Sequence, residues 1–372
     1  MVSKEGFQFD LETQRFIKNR WGTDTGKQVL KEIIDGIKNS VEIRAILDDY
    51  VLDHEENIDP YGHPIYPKDA MKENDFWVLT QDDLRGACFY NEDFSNSPSL
   101  GKKSLSYTRF YNCNLEKASL DRTDLSFARL EKCNLKQTYL SNGGGFNTVY
   151  LDCDLSNSIM TNSGFIENDF SGSILSGAFF KDALLQDIKV NYLTSFDYEI
   201  NDKWNDVKMP TKQIPDILRA IRIAYEKAEL WNIADKFLLQ ERISVRKYLI
   251  WEQFKTDKSI KIFITWIFSF FNGFISGYAT KPFRIILTGI LISLLFALLY
   301  AIEGSLSSKL AITDVILEST YFSFTTFATL GYGDISFSDQ VPYMRILSTI
   351  EAWMGAIIIS LFVAVLARKV MR

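Results

Sequence analysis

Large apolar residues recur along this chain in three rhythms, and each predicts a different structure. From Thr25 to Lys38, Val29, Leu30, Ile33, Ile34 and Ile37 fall at helical spacing, so the acidic N-terminal region is expected to hold an amphipathic helix. Asp48 to Asp75 reads as loop, with Pro60, Gly62, Pro64 and Pro67. From Leu105 a large apolar residue stands at every fifth position: Leu105, Phe110, Leu115, Leu120, Leu125, Leu130, Leu135 and Leu140, then Tyr150, Leu155, Met160 and onward to Leu185. Of these seventeen centres only Gly145 departs. Two residues before most centres sits a small one, such as Thr108, Cys113, Ala118 or Thr123, with Lys103 and Asn168 as exceptions. Leu84, Phe89 and Phe94 begin the same series, and an insertion near Ser97-Pro98 shifts its register by one. A period of five matches neither the helical 3.6 nor the strand period of two.

Residues 212–259 predict two helices that turn near Trp231-Asn232. Ile217, Leu218 and Ile221 mark the apolar face of the first, and Ala234, Phe237 and Leu238 that of the second. Beyond them apolarity becomes nearly continuous. In Ile260–Tyr278 the polar residues Lys261, Thr265, Ser269, Asn272 and Ser276 draw one narrow stripe, the pattern of a helix lying in a membrane interface. Ile285–Ile302 carries no charge and is long enough to span a bilayer. Ile346–Ala367 is a second such segment, with Glu351 as its only charge and the basic Arg368, Lys369 and Arg372 behind it.

Charge changes the picture. The net charge of the 372 residues is −6, but residues 1–210 sum to about −11, residues 211–284 to about +6 and residues 285–372 to about −1. A basic belt beside apolar segments suits the cytoplasmic face of a membrane, not nucleic acid. Arg242, Arg246, Lys247, Lys255 and Lys258 are candidates for contact with anionic lipid. No apolar stretch follows Met1-Val2-Ser3-Lys4-Glu5, so no secretory signal is expected, and both termini are assigned to the cytoplasm of a multi-pass protein of the plasma or inner membrane. In that reducing compartment Cys88, Cys113, Cys133 and Cys153 are expected as thiols. His54 and His63, flanking Asp59, fit neither a calcium loop nor a zinc signature and read as a solvated acidic loop.

Two resemblances organise these segments. Residues 82–190 resemble the pentapeptide-repeat family, whose pattern is small–polar–Leu/Phe–polar–any. The resemblance implies a square parallel β-helix of four repeats and twenty residues per coil, with centres and small residues inside. Cys113, Cys133 and Cys153, twenty apart, would then form one interior column, and the expectation is that they serve there as small interior residues, not as a metal or redox site.

Between the two spans lies Thr329-Leu330-Gly331-Tyr332-Gly333, preceded by an apolar stretch, Asp314 to Phe327, that predicts a re-entrant pore helix. Residues 283–372 thus resemble the two-helix potassium-channel pore family, with Leu330 where Val is commoner. The resemblance implies a homotetramer whose filter carbonyls, from Thr329, Leu330, Gly331 and Tyr332, replace the water shell of K⁺. Such a strand needs alternating, partly left-handed torsions, which Gly331 and Gly333 tolerate. Asp334 and Asp339 are placed at the outer mouth. Tyr321, Phe322, Thr325, Thr326 and Glu351 are expected to support the filter, Glu351 by bonding to the back of the pore helix near Thr325 or Thr326. Gly355 is read either as a hinge that moves Ile359 and Val363 or as a site of close helix packing.

The expected fold class is multidomain: an N-terminal helical and loop cap (1–79), a pentapeptide-repeat β-helix (80–190), a helical hairpin (191–259), an interfacial amphipathic helix (260–280) and an all-α membrane pore domain (281–372). The expected function is K⁺ conduction gated through the cytoplasmic N-terminal region, since the sequence ends at Arg372, immediately after the inner helix. No enzymatic activity is expected, nor any cofactor other than the transported K⁺. A cytoplasmic ligand or partner of the repeats is left unidentified. The alternative is a membrane-anchored repeat scaffold with a degenerate or non-selective cation pore.

Overall fold

The structure, a computed structural model, describes residues 11–39, 43–51, 76, 78–98, 100–196, 203–204, 207–208, 213–248, 260–303, 312–335 and 342–371. Asp339, Lys255, Lys258, His54, Asp59 and His63 lie outside the described residues. The chain divides into two compact units, Met1–Val245 and Arg246–Arg372.

The first unit is built on a parallel β-solenoid of about five turns. Short strands stack in register with their neighbours one coil away: β1 (Cys88–Tyr90), β2 (Arg109–Tyr111), β3 (Arg129–Glu131) and β5 (Val149–Leu151) form one face, while β4 (Gly144–Phe146), β6 (Gly164–Ile166) and β7 (Leu184–Gln186) belong to another. Isolated bridges such as Asn114↔Asn134 and Ser119↔Tyr139 carry the remaining two faces. The step is twenty residues through most of the ladder, as in Phe110↔Leu130, but Phe89↔Phe110 spans one more, because the insertion near Ser97-Pro98 is absorbed there. A second one-residue excess, in Ile174↔Ser195, carries the ladder past residue 190.

Each five-residue repeat ends in a turn. Two residues after every centre, from Lys102 to Asp187, φ is positive, between 51° and 76°. Only Gly172 and Gly177 among these are glycines, so each of the others carries a left-handed cost of about 1–2 kcal/mol. The interior offsets it. Leu105, Leu115, Leu125, Leu130, Leu135, Tyr150, Leu155, Met160, Phe165 and Phe170 are fully buried, and rings stack between coils, Phe89 on Phe110 at 4.8 Å and Tyr150 on Phe170 at 5.0 Å.

The small interior positions do more than save space. Thr138 Oγ1 donates to the Leu115 carbonyl, Thr148 Oγ1 to that of Leu125 and Ser173 Oγ to that of Tyr150, each at 2.7 Å and each 23 residues back. The cysteine column uses the same geometry: Cys133 Sγ lies 3.5 Å from the Phe110 carbonyl and Cys153 Sγ 3.3 Å from that of Leu130. All four cysteines are free thiols. The two exceptions find other partners. Lys103 turns to the Asp82 carboxylate, and Asn168 Oδ1 accepts from the Thr148 amide at 3.0 Å.

Helices close both ends of the solenoid. At the N-terminal end, α1 (Leu11–Asn19), α2 (Asp24–Lys38) and α3 (Ile43–Leu47) precede the first coil, and the Thr23 side chain caps α2 by accepting from the Gly26 amide. Asp83, fully buried, receives Arg20 Nη2 at 3.1 Å, Arg85 Nε at 2.7 Å and the Leu79 amide at 3.1 Å. Burial would raise its carboxyl, but the two guanidinium groups outweigh burial and hold it well below the ordinary carboxylate value.

At the other end stand α4 (Ile214–Lys227) and α5 (Trp231–Tyr248). Their turn falls just before Trp231, which is already the first residue of α5. Tyr225 Oη reaches the Thr194 carbonyl at 2.7 Å, and buried Glu241 joins the helices through Arg219 Nε at 3.0 Å and Arg222 Nε at 2.8 Å.

The second unit contains α6 (Ile260–Ser276), α7 (Pro282–Glu303), α8 (Ile312–Phe327) and α9 (Pro342–Val370). Two of these, α7 and α9, are long and apolar enough to cross a membrane, whereas α6 has only 17 residues. Phe263, Phe268, Phe271 and Phe274 are exposed on α6. Its expected polar stripe turns inward at one end: Ser269 pairs with Tyr278 Oη at 3.1 Å, and Ser276 is buried against Asn272. Gly277, Tyr278 and Ala279 are all left-handed, with φ of 58°, 57° and 63°, and make the elbow into α7.

Candidate functional site

The site grows from the C-terminal end of α8. Beyond Phe327 the chain doubles back on the last helical turn: the Thr329 amide donates to the Thr326 carbonyl at 2.9 Å, and the amides of Leu330 and Gly331 both donate to the Thr325 carbonyl, at 2.9 and 3.4 Å. Carbonyls that end a helix are thereby satisfied by the segment that follows. Through this segment φ is positive at every second residue, Thr329 (59°), Gly331 (51°) and Gly333 (76°). Glycine meets that requirement freely, whereas Thr329 meets it under strain.

Tyr332 is exposed and stacks on Tyr321 with ring centroids 6.4 Å apart and planes 7° apart. Tyr321 Oη in turn donates to Asp334 at 2.8 Å, so one side chain braces both the ring and the acid that follow Gly331. Phe322 lies elsewhere, edge-on to Tyr300 at 5.3 Å. Thr325 Oγ1 is spent on its own helix, donating to the Phe322 carbonyl at 3.0 Å.

Glu351 is fully buried. Its partners are not Thr325 or Thr326 but Ser323 Oγ on α8 and Tyr300 Oη on α7, the latter at 2.7 Å. Gly355, one turn along α9, lies directly against the backbone of Phe327, where an added Cβ would run into the Phe327 carbonyl oxygen. Close packing is thus the property of Gly355 that the geometry displays. Ile359 and Val363 are exposed.

Among the basic candidates, Arg242 and Lys247 are exposed, and Arg246 sits over the Phe270 ring at 5.6 Å. The sequence reading missed Tyr300, Ser323 and Phe327. A serine in the apolar helix α8 and a tyrosine near the end of the charge-free segment Ile285–Ile302 were the available signals. Neither points to its partner without the packing.

Comparison with known proteins agrees with this division. The ion-channel family profile matches residues 285–372, and pentapeptide repeats match in eight copies over residues 104–142 and 152–187. Neither match is to an enzyme family. Among solved structures, the chain is similar to the pentapeptide repeat protein Rfr23 from the cyanobacterium Cyanothece 51142, at 22% identity over 31% of this chain and 88% of that one, with a TM-score of 0.26. It is also similar to the plasmid-mediated fluoroquinolone resistance protein QnrB1, at 17% identity over 37% and 87% of the two chains and a TM-score of 0.19. A third is HetL from the cyanobacterium Nostoc sp. strain PCC 7120, at 15% identity over 34% and 68% and a TM-score of 0.15. No curated protein matches the chain. By these family matches the chain joins pentapeptide repeats to a C-terminal ion-channel domain, in that order along the sequence.

Proposed function

We propose that the chain is one subunit of a homotetrameric, K⁺-selective channel of the plasma or inner membrane, gated through its N-terminal region. The observation that carries this reading is the alternation of φ at Thr329, Gly331 and Gly333, with the Leu330 and Gly331 amides turned back on the Thr325 carbonyl. Amides so engaged leave successive carbonyls free to face away from the helix. Four such strands around an axis would offer K⁺ a ladder of oxygens in place of water. The C-terminal end of α8, the negative end of its dipole, lies at the start of that strand and favours a cation there. Asp334, held by Tyr321, raises cation concentration at the outer mouth.

Two further observations support the topology. Ile285, near the start of α7, packs with Ile358 and Val365 in the second half of α9. Lys281 and Arg284 therefore share one end of the bundle with Arg368 and Lys369, as cytoplasmic placement of both termini requires. Aromatic α6, with its exposed phenylalanines, is suited to lie in the lipid interface and pass force from the N-terminal region to α7. Anionic lipid at Arg242 and Lys247 is a second input.

The test is flux from liposomes holding the purified protein, driven by a K⁺ gradient and then by a Na⁺ gradient. Barium-sensitive K⁺ flux with little Na⁺ flux is the expected result. Equal K⁺ and Na⁺ flux would replace selectivity with a non-selective pore, and silence that persists after removal of residues 1–210 would overturn conduction.

A further inference from the structure

Away from the filter strand, three buried side chains, one from each of three helices, meet at a single point. Glu351 of α9 accepts from Tyr300 Oη of α7 on one oxygen and from Ser323 Oγ of α8 on the other. Ser323 Oγ also lies 2.7 Å from the Ser293 carbonyl of α7, and Tyr300, Ser323 and Glu351 are all fully buried. One helical turn along, the same helices meet again at Phe327. The ring of Phe327 stands 3.3 Å from where a Cβ on Gly289 of α7 would be, and its backbone lies against Gly355 of α9. Ser323 and Phe327 are four residues apart on α8, as Glu351 and Gly355 are on α9. Thus α9 grips α8 at two successive turns, once by hydrogen bond and once by backbone contact.

The chemistry of the upper grip goes beyond packing. A carboxyl group buried in an apolar bundle is costly, and a leucine or methionine would fill the space without that cost. What a carboxylate adds is two acceptor oxygens for two hydroxyls on different helices, with bonds stronger than those between neutral groups. Ser323 is two residues before Thr325, whose carbonyl receives the Leu330 and Gly331 amides. Any rotation or slide of α8 therefore carries the filter's anchor with it.

We propose that Ser323 and Tyr300 are positioning residues of the filter. Through Glu351 they fix the rotation and height of α8 between α7 and α9, and so set the strand that discriminates between cations. The proposal rests on the K⁺-channel reading above.

The experiment measures the K⁺/Na⁺ permeability ratio of the full-length protein in liposomes for Tyr300→Phe, Ser323→Ala, Ser323→Thr, Glu351→Gln and the double variant Ser323→Ala/Glu351→Gln. Tetramer yield is checked for each. Tyr300→Phe and Ser323→Ala should each lower the ratio at least about tenfold, the scale of one lost hydrogen bond to a charged group. Ser323→Thr, which keeps the hydroxyl, should restore it. The double variant should fall by less than the product of the two single losses, because both changes remove the shared bond between Ser323 and Glu351. Ratios within about twofold of the wild type in intact tetramers, or losses that simply add, would overturn the proposal. Should Ser323→Ala fail to assemble, Tyr300→Phe decides alone, since it deletes one oxygen and no packing volume. A wild-type protein without K⁺ flux in the same vesicles would mark failure of the channel reading itself, whereas selective wild-type flux with unmoved variants would sink only the positioning role.

Discussion

The solenoid and the pore unit solve opposite problems. In the solenoid one plan recurs at every fifth residue: an apolar centre inside, a small residue beside it that in several repeats donates a hydroxyl or thiol 23 residues back, and a left-handed turn residue outside. Errors are diluted, as Gly145 in place of a centre and Asn168 in place of a small residue demonstrate. In the pore unit nothing repeats. Gly289, Phe327 and Gly355 meet once, and Tyr300, Ser323 and Glu351 meet once, so each residue has no copy to share its load. Repetition makes a structure tolerant; convergence makes it sensitive.

The contrast is sharpest in a pair of identical chemical changes. Gly355→Ala drives a methyl group into the Phe327 carbonyl, and the expected outcome is loss of assembled tetramer and at least about a tenfold drop in K⁺ flux, read by native gel and liposome assay. Normal flux from Gly355→Ala would show that the two helices part easily and would revive the hinge.

Within the first unit the largest effect belongs to a convergent point, the fully buried Asp83. Asp83→Asn leaves Arg20 and Arg85 beside a neutral amide and should cost about 3–5 kcal/mol in denaturant unfolding. The sign with pH follows from the depressed carboxyl: its contribution is complete above the ordinary value of 3.8 and is lost only as pH falls through the lower folded value. The difference between wild type and Asp83→Asn should therefore persist at pH 4 and shrink in stronger acid.

An interior centre such as Leu130→Ala should cost about 2–5 kcal/mol and leave K⁺/Na⁺ selectivity unchanged. A selectivity change from that site would erase the distinction between the two regions. The thiol column gives a smaller, pH-dependent effect. A bond from Cys113 would lower the Cys133 thiol, but Cys153 and burial outweigh it and push the group up to about 12. Because the folded value is raised, the stability it contributes is full below the ordinary value of 9 and declines by about 1 kcal/mol per pH unit between there and about 12. Cys133→Ala should remove that part of the alkaline decline, measured as unfolding midpoints at pH 8 and 10.5. Smallest of all is Gly164→Ala, the counterpart of Gly355→Ala. No atom lies within 4 Å of its added Cβ, so the change should be neutral or stabilise by about 0.4–1 kcal/mol.

Much of this was legible without coordinates, and for a physical reason. A period of five over seventeen centres leaves the solenoid little alternative, because each coil buries its own residues against identical neighbours. The register shift at Ser97-Pro98 could be read for the same reason. The two long apolar segments and the left-handed torsions at Gly331 and Gly333 were equally local, since bilayer thickness and backbone torsion constrain residues one at a time. What sequence could not supply was the partner of anything non-repeating. Glu351 stood out as the lone charge of its segment, yet only packing decided that its hydrogen bonds come from Ser323 and Tyr300, 28 and 51 residues away in sequence. The hydroxyls of Thr138 and Ser173 were read by size alone, because a donor 23 residues from its acceptor becomes visible only when one coil is laid on the next. Gly355 was left between hinge and packing until tertiary structure set it against the backbone of Phe327. The sequence by itself determined where the chain must be periodic, apolar or left-handed, since each of those is a property of single residues or near neighbours. Tertiary structure decided which distant side chains complete one another, since hydrogen bonding and steric fit between helices depend on angles and distances that no local pattern encodes.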